Sequence, residues 1–210
     1  MDVKDIKIIM LIQLMDLDFL EIGTSNFDTL IQSSQNEIGM SVEPITHYLN
    51  ALPNKPNVIK VNVAITSNKT DDFVDVYYIP ENVIDTVGLH PCLKGCNSIG
   101  NYHGLHWDSV KQYVQIDKVP LMDIDELLIQ YNVRKIKYLK IDTEGHDCII
   151  LSGLFEYLKT KSREYYPETI LFESNEWTSS IMVDETIRIA KTCGYEIQSR
   201  DNDNTVLILI

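Results

Sequence analysis

Phe19-Leu-Glu-Ile22 is a short apolar run that ends at Gly23, with the length and bulk of a strand buried on both faces of a sheet. The glycine permits a sharp turn, and Ser25 or Asn26 can then cap a helix starting near Phe27. A strand feeding a helix through a tight turn gathers backbone N–H groups at a helix N-terminus, which favours a nucleotide-like or carboxylate-bearing ligand. Gly39-Met-Ser-Val-Glu-Pro44 reads as a second strand closing on an acid, Glu43, 22 positions after Glu21. In nucleotide-binding α/β folds an acid about that far along accepts hydrogen bonds from ribose hydroxyls. A glycine after a strand is usually no more than a turn; its combination with Glu43 narrows the reading.

The remaining chain repeats the alternation of strand and helix. Apolar positions from Val3 to Leu14 have helical spacing and predict an N-terminal helix over residues 1–16. Strands at 18–22 and 38–43 enclose a helix at 27–34, and a short helix over Ile45–Leu52 stops at Pro53-Asn-Lys-Pro56. Val58–Ile65 and Phe73–Ile79 are β-rich and suggest a hairpin across Ser67–Asp72. Residues 80–118, rich in proline, glycine and asparagine, read as a loop-like lid or substrate-binding insertion.

Beyond it, a helix over 121–131 has Asp123 as its cap, with Glu126 three residues on as in a capping box. Ile136–Asp142 and Thr169–Glu173 are strands ending on acids, followed by helices near 147–161 and 180–193. Tyr195–Arg200 and Thr205–Ile210 flank Asp-Asn-Asp-Asn, so they form an antiparallel pair. This order implies an α/β fold in one domain over residues 1–210. Its mostly parallel sheet carries helices on both faces, and ligands bind beyond the strands' carboxyl ends, where Glu21, Glu43, Asp142 and Glu173 fall.

Composition limits the partners. Among 210 residues the net charge is −13, which argues against nucleic acid and anionic membrane surfaces. Four cysteines are too few for a disulfide scaffold at this length, and Ile6–Leu20 is too short and too interrupted by Gln13, Asp16 and Asp18 to span a bilayer. A reducing, cytoplasmic setting is expected. His90, Cys92, Cys96, His103 and His106 cluster in the insertion, but their spacing matches no standard zinc pattern. Cys148 and Cys193 fall on predicted helices as core thiols.

Phe19–Asp28, Ser41–Pro44, Val63–Ile65, Leu139-Lys-Ile-Asp-Thr-Glu-Gly145, Leu151-Ser-Gly153 and Ile170–Glu173 occur in order and at suitable spacing. Together they resemble the FkbM family of methyltransferases over about residues 17–210. The resemblance implies a Rossmann-like class I methyltransferase sheet with its C-terminal antiparallel hairpin, and S-adenosylmethionine as cofactor. It implies O-methylation of a hydroxyl on a sugar, glycolipid or secondary metabolite, with a small-molecule or glycan acceptor. Glu21, Gly23, Thr24, Ser25 and Asn26 would lie by the methionine part, Glu43 and Pro44 by the ribose, and Asn62, Val63 and Ala64 by the adenine. Ser98 would sit near the cofactor and Asp142 at the methyl-transfer edge.

Catalytic candidates are Asp142, His146 and Glu173, any of which could take a hydroxyl proton; if Asp142 and Glu173 converge they could hold Mg²⁺ instead. Substrate candidates are Tyr102, His103, Trp107 and Glu144. Each acid has a structural alternative: Glu43 and Asp142 could cap the next helix, Glu144 could serve a helix dipole, and Glu173 could be a structural acid. Family members commonly carry a second glycine where this chain has Phe27. That departure motivates one rival, a methyltransferase-fold binding protein without catalysis. An NAD-dependent enzyme is a third reading, opposed by the hairpin and the sparse glycines.

Overall fold

The computed structural model describes residues 14–99, 108–175 and 178–210. In chain order its first elements are β1 (Met15–Ile22), α1 (Leu30–Ser33), β2 (Gly39–Val42), α2 (Thr46–Ala51), β3 (Val58–Val61), β4 (Ala64–Thr66) and β5 (Phe73–Tyr78). Then come α3 (Glu81–Val87), β6 (Ser98–Ile99), β7 (Gln115–Asp123), α4 (Ile124–Gln130), β8 (Val133–Ile141) and α5 (Asp147–Leu158). β9 (Thr169–Glu173), α6 (Ser180–Thr192), β10 (Tyr195–Arg200) and β11 (Asn204–Leu209) complete it.

A seven-stranded sheet has the order β10-β11-β9-β8-β1-β2-β3. β9, β8, β1, β2 and β3 run parallel, and β11 is antiparallel to both β9 and β10. β1 is central because its side chains are buried on both faces. Leu20 and Ile22 meet Leu151, Leu154 and Phe155 of α5 in the main core, while Phe19 packs with Ile31 and Leu49 beneath α1 and α2. The chain runs outward from β1 through β2 to β3, then returns to place β8 on β1's other side. The crevice of such a sheet opens where the order reverses, at the ends of β1 and β8.

A four-stranded sheet, β4-β7-β5-β6, adjoins it. The expected strand over 58–65 is divided: β3 pairs with β2, the chain turns at Asn62-Val63, and β4 pairs with β7. The expected hairpin does not form, because β7 lies between β4 and β5. Among its described residues, the interval 80–118, read as loop, contains α3, β6, 3-10 turns at Pro91–Lys94 and Lys111–Tyr113, and the start of β7. β7 carries Pro120 opposite Phe73, where β5 is its partner and pairing with β4 has not begun.

Local signals decide several helix ends. Glu126 accepts the Asp123 N–H at 3.2 Å, the expected capping box of α4. α1 begins later than predicted, capped by Thr29 with Gln32 reaching back, rather than by Ser25 or Asn26. The expected N-terminal helix lies almost wholly outside the described residues, and Met15 and Asp16 at its end belong to β1. Among the described residues no helix is long and apolar enough to cross a membrane.

Candidate active site

The first turn is set by one glycine. Gly23 adopts φ +81°, and a Cβ there would stand 1.9 Å from the carbonyl oxygen of Asp142. Only glycine lets β1 end so close to β8, where the Asp142 N–H donates to the Ile22 carbonyl at 3.0 Å. The loop then folds back on β2. Glu43, at the end of β2, accepts the Ser25 N–H at 2.6 Å and the Ile45 N–H at 2.9 Å. Burial lifts its pKa to about 7, against the pull of those two N–H donors.

Above these strand ends lies a cavity of about 650 Å³. One side is Gly23, Thr24, Ser25, Glu43 and Pro44; Val63, Ala64 and Val76 give it an apolar wall. Cys92, Gly95, Asn97 and Ser98 cover it, with Phe27 at the Gly95 side, and Lys140, Asp142, Thr143 and Glu144 line its far flank. Asp203, from the turn between β10 and β11, also reaches it. Ser25 Oγ and Asn97 Oδ1 are buried here with no hydrogen-bond partner among the described residues.

Glu21 is not in this wall. Period-two alternation turns it into the sheet face under α1, fully buried, where its carboxylate accepts the Leu30 N–H at 2.9 Å and meets Lys140 Nζ at 3.1 Å. Register places Lys140, Glu21 and Ser41 side by side across β8, β1 and β2. Burial raises the Glu21 pKa, with Lys140 opposing. Burial also works against the Lys140 ammonium, but Glu21 and Asp142 outweigh it and raise its pKa.

Beyond Asp142 the acids converge. Asp142, Glu144 and Glu173 each place an oxygen within 4.8 Å of the others, a spacing able to hold a cation. Burial, then Asp142 and Asp147, push Glu144 up to about 8; burial, then Glu144, Asp147 and Asp142, push Glu173 up to about 9. Asp147, fully buried, accepts Thr143 Oγ1 at 2.7 Å and the Glu173 N–H at 3.0 Å, and so joins the ends of β8 and β9. Nothing in the sequence singles it out, because it falls in the first turn of α5, where acids are common for the helix dipole alone.

Other candidates lie elsewhere. His146 Nε2 is 2.9 Å from Thr66 Oγ1, and burial lowers its pKa. Asn62 donates to the Glu43 and Pro44 carbonyls at 2.8 Å, and Asn26 donates to Glu81 at 2.9 Å. These two shape the loops behind the wall rather than line it. Tyr102, His103, His106 and Trp107 lie outside the described residues. His90 accepts the Cys92 N–H at 3.3 Å; all four cysteines are free, with Cys148 and Cys193 buried. Lys140 was missed, although it stands two positions before Asp142 and so shares its side of the strand.

The description "Methyltransferase FkbM domain" matches residues 22–197, most of the chain. No curated protein and no solved structure matches. The match takes in β2, β8, β9 and the loops that form the cavity, and the chain belongs to the FkbM methyltransferase family.

Proposed function

We propose that this chain transfers the methyl group of S-adenosylmethionine to a hydroxyl oxygen of a sugar, glycolipid or secondary-metabolite acceptor. The carrying observation is how the cavity's polar groups are distributed. Glu43 stands on one flank of β1 and Lys140, Asp142 and Glu144 on the other, two strand spacings apart, or about 10 Å. That separation suits a ribose at Glu43 and an amino-acid end beyond β1, with the base against Val63 and Ala64. The unpartnered Ser25 Oγ and Asn97 Oδ1 give such a ligand two further polar contacts.

When bound, S-adenosylmethionine supplies a methyl group already activated on a sulfonium sulfur. The chain's own task is to align the acceptor, exclude water and take a proton. Glu144 is the proton acceptor in this reading, because it lines the cavity whereas His146 is held by Thr66. Glu173, beside it, shares the proton, and Asp142 faces the reacting edge. A proton held on Glu173, whose pKa burial and its acidic neighbours push up to about 9, lowers the repulsion around an ionised Glu144. The exposed thiol of Cys92 suits a reducing, cytoplasmic setting.

Phe27 motivates the rival, a binding protein without catalysis, yet it lines the cavity beside Gly95 without filling it, since about 650 Å³ remains. Calorimetric titration with S-adenosylhomocysteine, with NAD as control, tests the reading. Micromolar binding of the first alone is expected; a folded protein that takes up neither would be the rival's signature.

A further inference from the structure

Lys140 is the one basic side chain lining the cavity among the described residues, against the carboxylates of Asp28, Glu43, Asp142, Glu144 and Asp203. Its ammonium sits between Glu21 at 3.1 Å and Asp142 at 3.5 Å. The two contacts differ in kind. Glu21 is fully buried and fixed by the Leu30 N–H, whereas the Asp142 side chain is 40% exposed and its contact is at the long end for an ion pair. The inner partner is therefore a permanent anchor and the outer one is free to turn into the cavity.

We infer that Lys140 and Asp142 form the seat for the α-amino-acid end of the cofactor, Lys140 taking its carboxylate and Asp142 its ammonium, with Glu21 as the positioning residue that holds Lys140. This rests on the cofactor reading above. The loose Lys140–Asp142 contact opens, and each partner takes the opposite charge of a zwitterion. The group's net charge is unchanged by that exchange, whereas a simple anion or cation would leave one charge without a partner in a half-buried site. The resemblance had placed Glu21 beside the methionine part; the geometry gives the contact to its partner Lys140.

The test compares S-adenosylhomocysteine with 5′-methylthioadenosine, which lacks the amino-acid end, by calorimetry on the whole chain. Lys140→Met strands Glu21 without a counter-ion, so the doubly substituted Lys140→Met/Glu21→Gln, which removes the buried pair together, is measured beside it. Loss of one charge-assisted contact should weaken S-adenosylhomocysteine by roughly 10- to 100-fold and leave methylthioadenosine within about threefold of wild type. Equal weakening of both ligands, or unchanged S-adenosylhomocysteine affinity, would overturn the assignment while leaving the cofactor reading standing. A wild-type chain that binds neither ligand overturns both.

Discussion

The Glu43 carboxylate accepts the Ser25 N–H at 2.6 Å, and through that bond the loop after β1 is fastened to the end of β2. The same carboxylate faces the cavity, so one side chain shapes the loop and presents an acceptor to a ligand. Glu43→Ala removes both. Its loss should weaken S-adenosylhomocysteine binding at least tenfold, as for a charge-assisted hydrogen bond. Titration of the folded variant measures this, and an unchanged affinity would remove Glu43 from the ribose.

Gly23 tests the geometry rather than the chemistry. A methyl group at this position meets the Asp142 carbonyl at 1.9 Å and must adopt φ +81°. Gly23→Ala should cost about 3 kcal/mol or more, from backbone strain added to overpacking between two strand ends. Urea unfolding of the two proteins gives the difference directly.

Glu144 sets the pH dependence of turnover in the proposed reaction. A proton acceptor must be ionised to act, and its pKa of about 8 predicts a rate that rises with pH through that value. Glu144→Gln should lower kcat by about 100-fold and leave S-adenosylhomocysteine affinity near that of wild type. Chelation by EDTA should not change the rate. A rate that collapses on chelation and returns with Mg²⁺ would assign the acids to a cation instead.

Stability should run the other way with pH. Asp147, Glu43, Glu144 and Glu173 have folded pKa values of about 6, 7, 8 and 9, all above those of the unfolded chain. Between the two sets of values the folded state holds protons that the unfolded state has lost, so stability falls as pH rises. The melting temperature should be higher near pH 5.5 than near pH 8.5. Glu173→Gln, which cannot ionise, should flatten the slope.

Much of this arrangement was legible beforehand, for identifiable reasons. β9 is a short apolar run between turn formers, and the β10–β11 pair is joined by a tetrad that permits only one direction of return. Val58–Ile65 is rich in β-branched residues and holds neither glycine nor proline, so the sequence does not mark the change of sheet at Asn62-Val63, and β3 and β4 merged into one expected strand. β7 escaped notice because Lys118 and Pro120 break its pattern, and its stability comes from β5 and β4, far along the chain. In the site, an acid at a strand end was recognisable, but its depth was not: Glu43 lines the cavity and Glu21 does not. That difference is one of depth rather than face: register sets Glu21 opposite Ser41, so Glu43 lies two residues nearer the strand ends on the same face, and only the paired strands fix that register.

The position of β11 has a consequence for synthesis. It follows β10 in the chain, yet it lies between β10 and β9, so β10 has no place in the sheet until β11 has emerged from the ribosome. Until then β9 is an open edge, able to recruit strands from other chains. The turn between these last two strands brings Asp203 to the cavity. A nascent chain thus cannot close its ligand site early, and the site's completion marks the moment when the edge of β9 is sealed.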